Sequence, residues 1–250
     1  MNATLSHAPR QGARTDDGWP ARIGADNRGL VHYLLTGLWP NLPVLLVGGF
    51  LVCLGLVFTA VVSRGVNPVS VLLTAVIVAP VFAGLVACGN RIVAGDTVGV
   101  GELFRSVSRF WWVGLRVALV PAFALAFALV ALEVLNQTRL ALVPLAVSGA
   151  VTVVTTLGAT VALPLRVDQP RRTGFALWLT SLYAVARCPV PAVAVVAFGC
   201  TAVWATASST VSFVLLVPGP LALVTVAAAW ASLARIGTLP STSSSERNDS

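Results

Sequence analysis

Residues 188–234 decide the fold, and they read CPVPAVAVVAFGCTAVWATASSTVSFVLLVPGPLALVTVAAAWASLA, 47 residues without one charged side chain. An α-helix rises ~1.5 Å per residue and the hydrocarbon layer of a bilayer is ~30 Å thick, so roughly 20 apolar residues cross it once. The stretch is too long for one transmembrane helix and long enough for two. It therefore predicts a pair of membrane-spanning helices at the end of the chain.

The rest of the chain repeats this pattern. Four more charge-free runs precede the last one, at residues 29–63, 65–90, 117–132 and 140–165. The third run is short, but Arg116 can extend its guanidinium to the interface, and the apolar stretch 111–135 then suffices for a crossing. We expect an all-α, polytopic membrane protein with six transmembrane helices.

Composition points the same way. Of the 250 residues, 57% are hydrophobic and 10% are charged, against about 25% charged in ordinary soluble domains. A soluble globule of this size could not cover that much apolar surface. An ordinary cytosolic enzyme, a nucleic-acid-binding protein and a disordered chain are excluded, and an integral membrane protein is left.

The arginines predict the orientation. All sixteen basic residues are arginine, and with the N-terminus inside, fourteen of them fall in cytoplasmic segments and only Arg64 and Arg139 fall outside. Such a bias is typical of the positive-inside rule. We expect a multi-pass protein of the bacterial cell membrane with both termini in the cytoplasm. The absence of lysine and the abundance of alanine and valine are typical of a GC-rich bacterial genome.

The polar segments set the expected organisation. Residues 1–28 are expected to be a disordered cytoplasmic leader, 29–236 the six-helix transmembrane domain, and the Ser/Thr-rich segment 237–250 a disordered cytoplasmic tail. Short outer connections are expected near 63–67 and 136–139. The turn between the fifth and sixth helices lies either at 207–211, with Pro218-Gly219-Pro220 breaking the last helix, or at Pro-Gly-Pro itself.

Two short amphipathic helices are expected at the cytoplasmic interface. The first follows Gly101, with Arg105, Ser108 and Arg109 on the face opposite an apolar one; the apolar face carries Leu103, Phe104, Val107, Phe110 and Trp111. The second follows Pro170, leads to Arg187 and carries Phe175, Trp178, Leu179, Leu182 and Tyr183. Such helices suit anionic lipid headgroups.

The sequence lacks the clustered histidine, cysteine and acidic residues that catalytic and metal sites need. His7 and His32 are the only histidines, there is no Cys-x-x-Cys, and no acidic residue falls mid-membrane. Metal sites need clustered ligands, and proton-coupled pumps need ionisable groups at depth. We expect no catalytic residues, no metal, no cofactor and no enzymatic activity.

One polar feature crosses the membrane. Hydroxyl side chains recur every four residues along the fourth predicted helix, at Ser148, Thr152, Thr156 and Thr160. In lipid such a stripe is typical of a tightly packed helix face. It could instead line a polar path for a sugar-like solute. The sequence leaves both interpretations open.

Several motifs resemble the YesL-like family of bacterial membrane proteins. They are Ala79-Pro80-Val81-Phe82-Ala83-Gly84-Leu85, Asn90-Arg91-Ile92-Val93-Ala94-Gly95-Asp96, Glu102-Leu103-Phe104-Arg105 with Phe110, Leu163-Pro164-Leu165-Arg166-Val167-Asp168 and Pro218-Gly219-Pro220-Leu221-Ala222. The resemblance covers roughly residues 40–236. It implies an accessory role in sugar uptake, since members of the family often accompany carbohydrate ABC transporters, and it implies no catalytic residues.

The favoured hypothesis is a non-enzymatic accessory or scaffold component of a carbohydrate ABC transporter, with transporter permease subunits, anionic lipid or further copies of this chain as partners and no nucleic acid. The working surface of such a protein would be formed by the cytoplasmic arginines, which are Arg91, Arg105, Arg109, Arg116, Arg166, Arg171, Arg172 and Arg187. The alternative for these arginines is that they only set the topology. The alternative is an autonomous small-solute transporter that uses the hydroxyl stripe and helices broken at Pro80, Pro121 and 218–220.

Overall fold

The computed structural model describes residues 38–65, 67–135, 142–169, 174–208 and 217–236. Regular structure in these residues is entirely α-helical, and no strand occurs among them. The helices are α1 (Leu42–Ser63), α2 (Pro68–Val93), α3 (Val100–Leu135), α4 (Leu142–Asp168), α5 (Phe175–Arg187), α6 (Pro189–Ser208) and α7 (Pro218–Arg235).

Four of the helices, α1 to α4, are long and apolar enough to cross a membrane. A fifth crossing is reached if α5 and the first part of α6 form one span, bent by 97° at the break between them. The chain is therefore an all-helical, multi-pass membrane protein with four to five helices of spanning length among the described residues. The predicted leader (1–28) and tail (237–250) lie outside those residues.

The connection between α1 and α2 is short and locally encoded. Arg64 has φ 52° and Gly65 has φ 140°, so two successive residues turn the chain back in the left-handed region. Asn67 then caps α2: its Oδ1 accepts from the Ser70 N–H at 2.7 Å, and the Ser70 hydroxyl accepts from the Asn67 N–H at 3.0 Å. The predicted outer connection near 63–67 is confirmed as a connection.

Helices α2 and α3 pack backbone against backbone. A Cβ atom added to Gly114 would lie 2.7 Å from the carbonyl oxygen of Ala79, and one added to Gly84 would overlap the side chain of Val107. Small residues allow this approach, which is how membrane helices gain packing energy when lipid is as apolar as their side chains. Leu85 of α2 and Leu103 of α3 are fully buried, and the side chain of Leu85 packs over Gly48 of α1.

The first predicted interfacial helix is not a separate element. It forms the opening turns of α3, which continues without interruption for 36 residues. Nothing between Trp111 and Arg116 breaks a helix, and Pro121 deprives the helix of a single N–H donor. The expectation of a separate interfacial helix is wrong, because the change from an amphipathic to an apolar pattern after Trp111 does not end the helix.

The expected helix breaks at Pro80 and Pro121 are wrong, because a proline inside a long helix removes one N–H donor without ending the helix here. Pro80 and Pro121 lie inside continuous helices. Pro218 opens α7, a position that suits proline because the first N–H groups of a helix have no partner in it. Helix α6 continues to Ser208 and residues 209–216 lie outside the described residues, so both alternatives for the turn between the last two helices, at 207–211 or at Pro218-Gly219-Pro220, stay predictions.

The second predicted interfacial helix is a separate element, α5, of 13 residues. Helix α7 occupies the middle of the bundle, where it contacts α1, α2, α4 and α6. Its Trp230 is 2% exposed and its Val226 is fully buried. Helix α7 therefore packs against most of the other helices through a buried face.

We expect Gly114→Ala to destabilise the protein by about 1–3 kcal/mol, because the added methyl group forces α3 away from the α2 backbone. Thermal unfolding in detergent micelles measures this. Gly149→Ala is the matched control, since a Cβ at Gly149 meets nothing within 4 Å and alanine favours helix by up to about 1 kcal/mol. Equal melting temperatures for the two variants would contradict the close packing of α2 and α3.

Candidate functional site

Ionisable side chains gather at one end of the bundle, where α2 and α4 end and α3 begins. We call this region the charged end. It comprises Arg91, Asp96, Glu102, Arg105, Arg109, Arg116, Arg166 and Asp168, which line two neighbouring cavities or the loop beside them. Arg171 and Arg172 lie outside the described residues.

A buried amide joins three helices just below the charged end. The Asn90 Nδ2 of α2 donates to the carbonyl oxygen of Pro164 in α4 at 3.2 Å. Its Oδ1 accepts from the Trp230 Nε1–H of α7, also at 3.2 Å. Asn90 is only 7% exposed. Its amide oxygen and one of its two amide N–H groups therefore have partners on other helices.

A second buried amide ties the start of α1 to the same place. Asn41 is 1% exposed, and its Oδ1 accepts from the backbone N–H of Val98 at 2.7 Å. Val98 belongs to the loop between α2 and α3. The beginning of α1, the end of α2 and the beginning of α3 are therefore held together at the charged end.

Arg91 pairs with carboxylates. Its Nη1 lies 2.8 Å from Glu102 Oε2 and its Nε lies 3.4 Å from Asp96 Oδ2. Both acids follow closely in sequence, so the arginine bridges the end of α2, the loop and the first turn of α3. Arg91 therefore secures this connection, and its contribution to an anion-binding surface is offset by two negative charges.

The arginines of α3 form an exposed stripe. Arg105, Arg109, Trp112 and Arg116 follow one another at spacings of four, three and four residues, so they lie on one face of the helix. All four are exposed, Trp112 to 66%. None of the three arginines is ion-paired within the described part of the chain. We call these four residues the α3 stripe.

Two cavities open at the charged end. One, of about 420 Å³, is lined by Arg105 and Arg109 together with Glu102 and Asp168. The other, of about 440 Å³, is lined by Arg116 and Arg166 together with Trp112 and Trp178. Arg187 lies apart on α5, where its Nε donates to the Tyr183 hydroxyl at 3.1 Å.

The hydroxyl groups of α4 are largely satisfied inside their own helix. Ser148 donates to the Pro144 carbonyl, Thr152 to that of Ser148 and Thr160 to that of Leu157, each at 2.7 Å. Such back-bonding uses the hydroxyl proton that a solute would need. The hydroxyl groups of α4 therefore offer few free hydrogen-bond donors for a polar path.

Two of the predicted hydroxyl residues of α4 line an apolar cavity of about 790 Å³ between the helices. Thr156 and Thr160 line it, and Ser148 and Thr152 do not. The rest of its wall is almost wholly apolar and comes from five helices; it includes Phe82, Val117, Pro121, Leu163, Val195 and Leu221. A sugar needs several convergent polar groups, which this wall lacks.

The site contains no metal-ligand cluster within the described residues: no three His, Cys, Asp or Glu side chains there lie close enough to hold an ion. The arrangement can bind anions through arginine and apolar groups through the cavity. Acid–base chemistry needs a positioned carboxylate or imidazole beside a reacting group. At the charged end Asp96 and Asp168 are exposed, Glu102 is half-buried, and all three carboxylates lie among arginines.

Sequence reasoning missed Asn90 and Trp112. Asn90 carries a visible signal, since it is the one amide in the run 65–90 apart from Asn67 at the turn. Polar residues at such depth bind neighbouring helices. Trp112 becomes visible once the helical spacing of Arg105 and Arg109 is continued past Trp111.

We expect Trp230→Phe and Asn90→Ala to be coupled by about 0.6–1.7 kcal/mol in a double-mutant cycle, because interhelical hydrogen bonds in a membrane protein contribute about 0.6 kcal/mol on average and about 1.7 kcal/mol at most. Each single substitution should lower the unfolding free energy. The control Trp112→Phe, at an exposed position, should change it by less than about 0.5 kcal/mol. Additive effects of the two substitutions would show that the bond between α2 and α7 contributes nothing.

No family model matches this chain, and no curated protein and no solved structure matches it either. The resemblance to the YesL-like family stays a prediction.

Proposed function

We propose that the chain crosses the bacterial cell membrane six times, with both termini in the cytoplasm. Helices α6 and α7 have 20 and 18 residues, which gives ~30 Å and ~27 Å and is close to the hydrocarbon thickness. The bonds of Asn41 to Val98 and of Asn90 to Trp230 hold the start of α1 and the end of α7 at the charged end. Termini on one side require an even number of crossings, and the arginine bias favours the cytoplasmic side.

Topology reporters test this arrangement. Green fluorescent protein fused after Ser250 should fluoresce, because it folds in the cytoplasm, and alkaline phosphatase inserted after Gly65 should be active, because it needs the oxidising exterior. The reverse pair of fusions is the control and should be inactive. A C-terminal fusion that is active only as phosphatase would mean an odd number of crossings.

We further propose a non-enzymatic accessory or scaffold protein whose working surface is the α3 stripe. The observation that carries this is the length of α3: 36 residues give ~54 Å, against ~30 Å of hydrocarbon. A span of roughly 20 residues that ends at Leu135 begins near Arg116. Arg105 and Arg109 then project beyond the hydrocarbon as exposed cations, where a partner can reach them.

The partner we propose is the permease subunit of a carbohydrate ABC transporter. This step rests on the resemblance to the YesL-like family. Exposed arginines steer association with acidic surfaces and discriminate between partners more than they add affinity. A membrane partner with a complementary acidic cytoplasmic loop fits that surface.

The double variant Arg105→Gln, Arg109→Gln should reduce crosslinked transporter subunits roughly three- to tenfold in native membranes, because the complementary charges are lost. Quantitative mass spectrometry of the tagged, crosslinked protein measures this. Arg64→Gln, an exposed arginine at the opposite end of the bundle, is the matched control and should leave the captured set unchanged. Unchanged capture and sugar uptake in the double variant would remove the α3 stripe from the proposal.

A second function is an autonomous transporter of small solutes through the hydroxyl-lined α4. The cavity of about 790 Å³ beside Thr156 and Thr160 favours it. The apolar wall favours a weakly polar solute over a sugar. Solute flux into vesicles that contain this protein alone would support transport over the accessory function, and flux that requires a second subunit would support the accessory function.

A further inference from the structure

Two arginines and one carboxylate from neighbouring helices line the cavity of about 420 Å³ at the charged end. Arg105 and Arg109 come from α3, and Asp168 is the last residue of α4. All three belong to the described part of the chain, and within it Asp168 forms no ion pair with either arginine. Charges of opposite sign therefore line one cavity without contacting each other.

The two cations are placed by α3. Arg105 and Arg109 are four residues apart, so they lie on one face of the helix. The guanidinium of Arg109 lies over the ring of Phe110, with its central carbon 5.5 Å from the ring centroid, and this cation–π contact holds it beside the cavity. Guanidinium groups present planar pairs of donors that match phosphate oxygens. This wall of the cavity therefore suits a phosphate group.

The second acid of the lining has a partner. Glu102 Oε2 lies 2.8 Å from Arg91 Nη1, and both residues line the cavity. Their charges offset each other, because the two groups are in direct contact. Asp168 is therefore the carboxylate that can accept a cation from a ligand without giving up an ion pair to the arginines around it.

The lining also contains neutral polar groups. Asn90 adds a buried amide and Ser106 adds a hydroxyl. Binding sites for small ligands combine a few convergent polar groups with a volume of roughly 300–1,000 Å³, and the cavity has about 420 Å³. Its size and lining therefore suit a small polar ligand or a lipid headgroup.

The placement of the charges favours a zwitterion over a simple anion. A simple anion would bind the arginines and be repelled by Asp168. Helices α3 and α4 are in contact, and the axes of packed helices lie ~8–10 Å apart. An amino acid carries both of its charges on one carbon atom, whereas phosphoethanolamine separates its phosphate from its ammonium group by a short chain. The longer zwitterion suits charges that come from two helices.

We propose that this cavity binds a phosphoethanolamine group, with the phosphate at Arg105 and Arg109 and the ammonium at Asp168. Two sources carry this group, the headgroup of phosphatidylethanolamine and soluble phosphoethanolamine. The inference shares the two arginines with the partner surface of the proposed function, but it does not depend on the transporter partner. A bound phosphate competes with an acidic loop of that partner for the same arginines.

Native mass spectrometry of the full-length protein with one added dioleoyl lipid tests the headgroup. We expect phosphatidylethanolamine to bind roughly tenfold more tightly than phosphatidylglycerol or phosphatidylcholine, the size of one hydrogen bond to a charged group. Phosphatidylglycerol has no ammonium group, and the trimethylammonium group of phosphatidylcholine has no N–H donor for Asp168. The comparison uses the natural protein, so it remains informative if a variant does not fold.

Asp168→Asn tests the ammonium half of the site. It should weaken the binding of phosphatidylethanolamine roughly tenfold and should not weaken the binding of phosphatidylglycerol. Asp96→Asn is the matched control, because Asp96 is an exposed carboxylate of the charged end that does not line the cavity.

Arg109→Gln tests the phosphate half of the site and should weaken the binding of both lipids. The matched control is Arg116→Gln, since Arg116 is exposed on the same face of α3 and lines the other cavity. It should leave both affinities unchanged.

Soluble phosphoethanolamine, added in competition with phosphatidylethanolamine, identifies the source. Displacement of the lipid at equal concentration would support a soluble ligand, and retention of the lipid would support the headgroup. Both results are consistent with the proposed chemistry.

Two results overturn the proposal: equal retention of the three lipids by the natural protein, or equal loss of phosphatidylethanolamine in Asp168→Asn and Asp96→Asn. Asp168 is not part of the α3 stripe, so Asp168→Asn should leave the capture of transporter subunits unchanged. Binding of the lipid without any captured subunit would overturn the proposed partner and leave this site standing, which separates the two proposals.

Discussion

The Asn90 amide is the constraint on which the arrangement of the bundle depends. Its two bonds reach 74 and 140 residues along the chain, to Pro164 and Trp230. In lipid a polar side chain without partners is costly, so the two bonds exclude arrangements in which α4 or α7 turns away from α2. The close contact of α2 with α3, and the tie from Asn41 to Val98, then place the remaining helix ends.

This arrangement places the arginines of the charged end in two different surroundings. The carboxylates lie beside Arg91, Arg105 and Arg109, while Arg116 and Arg166 line a second cavity together with Trp112 and Trp178. Arginines that lie at the same end of the bundle therefore have different surroundings, and they can have different roles. What separates them is the register of α3 against α4, which brings a basic residue of each helix to one depth.

Much of the fold is predictable from local composition. The long apolar helices follow from the charge-free runs, because spanning length is a local property. The α1–α2 connection follows from Arg64, Gly65 and Asn67, because turn and capping chemistry is local too. The continuity of α3 is not predictable in this way, since a change in amphipathicity looks like a helix boundary. The partners of Asn90 are not predictable either, because they depend on contacts between helices that lie 74 and 140 residues apart along the chain.

The hairpin of α1 and α2 has a consequence for how the protein enters the membrane during synthesis. In the proposed orientation its outer loop carries a single cation, Arg64, whose export against the resting potential costs about 2.3 kcal/mol per 100 mV. Inverted insertion would instead have to export Arg91 at the end of α2 and Arg105 and Arg109 at the start of α3. The potential that energises the cell therefore acts as a proofreading force on the first two helices, before any later helix has been made to correct them.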